Sequence, residues 1–378
     1  MFIFLCDFVR KDVCMKVPVY KPSLIGKEKE YVMDCVETEW ISWKGKYGPR
    51  FEKEFSSYIG MQYGLGVFNG TVALHLAMLT LGITEGDEVI VPSFTYVASA
   101  NCVSYVGGTP VFVDSKRDNW QMDPEDVRKK ITDKTKAIIV VHLYGHPCDM
   151  DELCAICKEH DLFLIEDCAE AIGSEYKGRK VGSFGDMACF SFFGNKTITT
   201  GEGGMVLTND IALYERASRI KDQGNAKYRM YWSDIIGYNF RMTNIQAAIG
   251  CAQLENIDYF VNRKIEIGLR YKEGLKGLPL TTLEPVGDVK HTYWMCCIML
   301  DDADKRDDLR KYMEEKGIET RPTFYPVHTM PMYSHKYQKH SNAEYIAYRG
   351  INLPSFPAIT DEEQDYVIEA VRSFFEEA

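Results

Sequence analysis

The chain has 378 residues, more than a single hydrophobic core usually serves, so a large and a smaller domain packed closely together are expected. Its 46% hydrophobic and 26% charged residues exclude fibrous and disordered classes. With 44 Lys and Arg against 55 Asp and Glu, the net charge is -11 and no basic tract offsets it; nucleic-acid and membrane partners are not expected, and an anionic substrate would need a local cationic pocket.

The opening run MFIFLC is apolar, but no basic residue precedes it and it breaks at Asp7, Arg10 and Lys11. It is too short for a signal peptide or a membrane span, and a cytoplasmic protein is expected. Further along, the short apolar runs GLGVF, EVIVP, TPVFVD, AIIVVH, FLIEDC, CFSFF and GMVLT alternate with helical stretches. That rhythm predicts an α/β fold, a mostly parallel seven-stranded sheet covered by helices on both faces. Helical spacing marks TVALHLAMLTLG, TYVASANCVSYV, DPEDVRKKI and DMDELCAICKEH, the last two with Asp at the start, where a cap belongs. After Thr243, TNIQAAIGCAQLENIDYFVNRKIEIGLRYKEGL reads as one long helical stretch leading out of the large domain, stopped by Gly277 and Pro279. The strand candidate YWMCCIML, the helix DDLRKYMEEKG, an irregular stretch rich in Tyr, His and Pro, and a closing helix DEEQDYVIEAVRSFFEEA then make a small α/β domain. The twelve cysteines are scattered as reduced thiols would be. Cys154 and Cys157 share a helix with no second pair at zinc spacing, so core packing is expected there and no metal.

Chemistry concentrates at the ends of the predicted strands. Lys196 sits in SFFGNKTITTGEGG, between an apolar strand and a Gly-rich turn that lets a ligand approach the backbone. Alone it reads as a surface loop lysine. Asp167 ends FLIED, at the carboxyl end of a parallel strand, where open α/β sheets bind ligands; alone it reads as a capping acid. Asn69, Gly70 and Thr71 join a strand to a helix, so their N–H groups and the Thr hydroxyl face a helix N-terminus suited to an anion. Ser191 could add a hydroxyl, and Tyr96, expected to open the next helix, could offer an aromatic face. A lysine, an acid, a phosphate turn and an aromatic face are the parts that pyridoxal 5'-phosphate (PLP) requires. No GxGxxG, GxxxxGK[ST] or HExxH string competes with that reading.

The ordered set NGTVALHLA, VPSFTYVASAN, LIEDCAEAIG, FSFFGNKTITTGEGGMV and GYNFRMTNIQAAIG resembles the DegT/DnrJ/StrS sugar aminotransferases, PLP enzymes of the aspartate aminotransferase-like fold (fold type I). The resemblance runs from about residue 17 to the end. It implies an N-terminal extension over 1–16, a PLP-binding large domain over 17–255 and a small C-terminal domain over 256–378. It makes Lys196 the Schiff-base lysine, Asp167 the partner of the pyridine nitrogen, Tyr96 the stacking ring, and Gly70, Thr71 and Ser191 the phosphate ligands. Glu170 takes a place where relatives turn a Gln, His or Glu toward the cofactor. Asn239 matches a residue that reaches the phosphate in a neighbouring subunit, which implies a homodimer with shared active sites.

Within the family, SFFGNKTITTGEGGMV, FYPVHTMPMY and RGINLPS are most similar to members that aminate C4 of GDP-4-keto-6-deoxymannose with L-glutamate. By position in the family pattern, Trp40, Ser42, Lys44, Tyr325, His328 and Arg349 are the expected substrate contacts. Three rivals stand beside this reading: amination of a UDP- or dTDP-linked keto-sugar, a PLP-dependent sugar dehydratase, and a non-catalytic nucleotide-sugar-binding protein. A dehydratase would carry histidine in place of Lys196, and a non-catalytic chain has no need of both Lys196 and Asp167.

Overall fold

The computed structural model describes residues 15–335 and 338–377. The expected N-terminal extension lies outside the described residues except for Met15 and Lys16. All seven expected strands form one sheet: β1 (Tyr63–Val67), β2 (Glu88–Pro92), β3 (Thr109–Val113), β4 (Thr135–Val141), β5 (Phe163–Asp167), β6 (Met187–Ser191) and β7 (Gly204–Thr208). Their spatial order is β1-β7-β6-β5-β4-β2-β3. β7 runs antiparallel to both its neighbours, and the remaining pairs are parallel. Val89–Pro92 and Ala137–Val141 are buried throughout, because helices cover both faces; hence the near-continuous apolar runs in the sequence.

The helices differ from expectation in two places. The one expected over TYVASANCVSYV starts only at Ala98, leaving Tyr96 in the turn before it. There the N–H of Ser99 donates to the carbonyl of Tyr96 (3.3 Å), a tight turn that precedes the first helical residues. The stretch after Thr243 is two helices, Asn244–Leu254 and Ile257–Gly274. Thr243 and Gln246 close a capping box at its start, and the Asn256 side chain donates to the carbonyl of Ala252 (3.1 Å) at the break, satisfying one orphan acceptor of the first helix.

Beyond that break a four-stranded antiparallel sheet, in the order Leu280–Thr282, Cys296–Leu300, Gly350–Leu353, Arg321–Pro322, packs beneath the helices Ile257–Gly274, Lys305–Glu315 and Asp361–Glu377. A further three-stranded ribbon of two-residue strands, Glu175–Tyr176, Arg179–Lys180 and Val289–Lys290, ties the two sheets' territories together. Among the described residues no helix is long and apolar enough to cross a membrane, and the ten described cysteines are free. Cys157 is buried among Leu153, Ile156 and Leu164, with Cys154 packed against the same cluster.

The floor beneath β6 is aromatic. Phe55 is fully buried and meets Phe190 (4.9 Å, 83°) and Phe192 (5.1 Å, 90°) edge to face. Phe55→Ala is expected to cost about 3–5 kcal/mol, read as a lower urea midpoint of the apo-protein, because the surrounding rings cannot collapse into the void.

Candidate active site

The carboxyl ends of β1, β2, β5 and β6 open onto one cavity of about 490 Å³. At one end the helix Gly70–Leu81 begins: the Asn69 side chain caps it by accepting from the N–H of Val72 (2.9 Å), and Gly70 and Thr71 form the cavity wall. Ser191 stands opposite. A Cβ on Gly70 would lie 2.7 Å from the Ser191 Cβ, so glycine is required for the turn to approach β6 this closely. The result is a cradle of N–H and hydroxyl donors at a helix N-terminus, the arrangement that binds phosphate.

Asp167 ends β5 and is only 4% exposed. Its Oδ2 accepts from the Ser99 hydroxyl (2.8 Å) and its Oδ1 from the N–H of Ala169 (3.1 Å). Burial pushes its carboxyl above the usual range, while those two donors and the Lys196 ammonium favour the charged form. Just before it, Glu166 braces the strand end: its carboxylate accepts the N–H groups of Gly182 (2.7 Å), Phe184 (2.6 Å) and Gly185 (2.7 Å) and contacts His142 Nε2 (3.1 Å).

Lys196 follows β6 by five residues. Its N–H donates to the carbonyl of Phe193 (2.9 Å) and its own carbonyl accepts from the Tyr20 hydroxyl (2.7 Å), so the main chain is fixed while the side chain reaches into the cavity. Burial lowers the amine's pKa, and the carboxylates of Glu170 and Asp167 work against that. Glu170 is buried, accepts from the N–H of Tyr144 (2.8 Å), and is pushed up to about 7 by burial, with Lys196 as its counterweight. An amine lowered by burial and an acid raised by it share one cavity, a pairing that marks a functional site.

The structure therefore brings Gly70, Thr71, Tyr96, Asp167, Glu170, Ser191 and Lys196 to one cavity. The other expected residues are elsewhere in the single chain. Asn239 accepts from Arg241 Nε (2.8 Å), beside Asp222 and away from the cavity. Trp40 and Ser42 use their carbonyls to hold Asn244 (2.7 and 2.6 Å), and the Lys44 amine lies 5.4 Å from the Trp43 ring. Tyr325 is exposed beside Arg306, and Arg349 stacks on Tyr345. His328 is buried with Nδ1 on the Ser93 hydroxyl (2.5 Å) and Nε2 on Glu344 (3.3 Å), so both ring nitrogens are already engaged. None of these six substrate candidates lines the cavity, whose wall instead includes Trp294, Phe324 and Arg321 from the region beyond Gly274. Those three, with Ser99, carry no sequence signal of their own; only the fold assembles them.

The profile of the DegT/DnrJ/EryC1/StrS aminotransferase family matches residues 22–372. The chain belongs to that family. It is 58% identical over 359 residues to the GDP-perosamine synthase of Escherichia coli O157:H7, covering 95% of this chain and 98% of that one. To the GDP-perosamine synthase of Vibrio cholerae it is 48% identical, covering 95% and 99%. Among solved structures, DesV of S. venezuelae in complex with a ketimine intermediate superposes with a TM-score of 0.87 at 34% identity, covering 93% of this chain and 94% of that one. A sugar aminotransferase of Streptococcus pneumoniae in its PLP form, described as putative, superposes with a TM-score of 0.91 at 28% identity, over 96% and 99%. This DegT/DnrJ/EryC1/StrS chain is a PLP-dependent sugar aminotransferase, and the cavity just described has the donor set PLP needs: a phosphate cradle, a buried carboxylate, an aromatic face and a lysine.

Proposed function

We propose that this aminotransferase moves the amino group of L-glutamate to C4 of GDP-4-keto-6-deoxy-D-mannose, releasing 2-oxoglutarate and GDP-perosamine. The observation that carries the reading is the Lys196 amine facing two buried carboxylates at one end of a cavity whose other end is a phosphate cradle. The 44–58% identity to three GDP-perosamine synthases over nearly their whole length supports the choice of sugar. When bound, PLP supplies an electron sink that lets one site run both half-reactions.

The chain's own residues then divide the work. Gly70, Thr71 and Ser191 hold the phosphate, Asp167 faces the ring nitrogen, and Tyr96 covers the ring. Lys196 anchors the cofactor and carries away the proton taken from the donor's α-carbon, and Glu170 tunes its charge. Arg321 lines the cavity, its guanidinium engaged only loosely by Glu319 (3.4 Å), and is the cation for the glutamate carboxylate. Trp294 and Phe324 exclude water on the same side.

A second copy of the chain completes the site. Tyr228, Met230, Tyr231 and Ile236 are exposed, Tyr231 by 96%, an apolar surface of the kind that marks an interface. It lies on the segment leading to Asn239, which would reach the partner's cofactor phosphate from there. Free thiols fit a cytoplasmic location.

The test supplies the PLP-loaded protein with glutamate and, in parallel, GDP-, UDP- and dTDP-linked 4-keto-6-deoxy sugars, reading product mass and C4 configuration. GDP-perosamine as the main product is expected. Preferred amination of a UDP- or dTDP-sugar would replace the substrate assignment while keeping the chemistry.

A further inference from the structure

The Lys196 amine lies 3.8 Å from the centroid of the Trp294 ring, a contact short enough for a direct cation–π interaction. The indole is held on every side. It is 4% exposed, its Nε1 donates to the carbonyl of Asn195 (2.7 Å), and its main-chain N–H donates to the carbonyl of Tyr144 (3.0 Å). Its ring is near-parallel to those of Tyr144 (6.0 Å, 19°) and Phe324 (6.5 Å, 21°). Tyr144 itself adopts φ 57°, a left-handed conformation disfavoured for a bulky residue, and is fixed there by its N–H to Glu170 and its hydroxyl, which accepts from the N–H of Phe324 (3.2 Å). The chain thus tolerates local strain to hold this aromatic stack beside the lysine.

A transaminating lysine needs two positions, one joined to the cofactor and one free. Its main chain is pinned by Phe193 and Tyr20, so only the side chain moves between them. We propose that Trp294 is a positioning residue whose indole face is the seat of the free Lys196 amino group, favouring it as ammonium once it has taken a proton from the substrate. This rests on the reading of Lys196 as the proton carrier. In that step the neutral amine accepts a proton from the donor's α-carbon, becomes ammonium, and later returns the same proton to another atom, so no outside acid or base is consumed. The charged groups facing the amine are the Glu170 and Asp167 carboxylates, with Glu202 and Arg321 on the same cavity wall. The indole face differs from the carboxylates in favouring the cation without being able to take its proton.

The test needs no bound cofactor. In the apo-protein, the rate of Lys196 acetylation by acetic anhydride, read by mass spectrometry against pH, gives the amine's titration midpoint. Removing the ring in Trp294→Leu is expected to lower that midpoint by about one unit, the size of a desolvated cation–π contact. Trp294→Phe keeps an aromatic face but loses the same Nε1 hydrogen bond, and is expected to recover part of the shift. Should Trp294→Leu fail to fold, replacing all five tryptophans by fluorinated tryptophan drains charge from the face at nearly constant shape, and the midpoint should fall with each added fluorine. In the loaded enzyme, Trp294→Leu should lower kcat for the glutamate half-reaction about tenfold with KM little changed. An unchanged midpoint in both the Leu variant and the fluorinated protein would overturn the proposal. Borohydride reduction of the loaded protein tests the underlying reading separately: if Lys196 is not the residue labelled, the anchor assignment fails whatever Trp294 does.

Discussion

Lys196→Ala is expected to abolish the visible band of lysine-bound cofactor and to lower amino transfer by roughly 10⁴-fold, the upper end of what a positioned proton carrier contributes. The fold should survive, because the side chain projects into the cavity while the main chain keeps its bonds to Phe193 and Tyr20. The loss of charge has its own signature. Lys196 is the cation that lowers the Glu170 pKa, so without it Glu170, at about 7 in the native chain against an ordinary 4.5, keeps its proton to still higher pH. An acid whose folded pKa is raised contributes stability below its unfolded value and loses it as pH rises through the folded value. Against Glu170→Gln, which has no such proton, the apo Lys196→Ala protein should therefore lose thermal stability from about pH 4.5 to beyond 7. A soluble primary amine should restore part of the transfer, since it replaces the proton carrier but not the tether. Wild-type turnover by Lys196→Ala would rule out the mechanism.

The sequence shows the large sheet plainly because its strands are buried on both faces, and each leaves an unbroken apolar run ended by a polar residue. For the same reason Asp167 and the Asn69–Thr71 turn stand out, as polar residues at strand ends. What was illegible came together only through tertiary packing. Trp294 lies inside the apolar string YWMCCIML and reads as strand interior, although the strand begins two residues later and the indole turns toward Lys196. Tyr144 occupies a left-handed position with no glycine to mark it. The two-residue strands of the small ribbon are too short to show a period, and the break after Leu254 has neither Gly nor Pro, only an asparagine side chain capturing a carbonyl. His328 shows what family position leaves out: the pattern names it as a substrate contact, and only the packed chain shows its two ring nitrogens on Ser93 and Glu344.

Asp167→Asn is the second substitution with a large expected effect, a fall in kcat/KM of about 10²–10³-fold, the usual loss when one preorganised charge at a reacting centre is removed. The change is nearly isosteric, and the amide can keep both native contacts: its oxygen accepts from the N–H of Ala169 and its NH₂ donates to the Ser99 hydroxyl. Folding and phosphate binding should therefore persist, and the deficit should lie in catalysis. Only the negative charge is lost, and with it, in the role proposed for Asp167, the means of keeping a proton on the pyridine nitrogen. Ser99→Ala separates charge from shape. It leaves the carboxylate in place but removes a hydrogen bond to its ionised form, so an Asp167 pKa already raised by burial rises further. The acid limb of the kcat/KM profile should accordingly move to higher pH in Ser99→Ala, while Asp167→Asn, which has no carboxylate to titrate, should show no limb from this group. If Ser99→Ala left the limb in place, Asp167 would not be the acid that sets it.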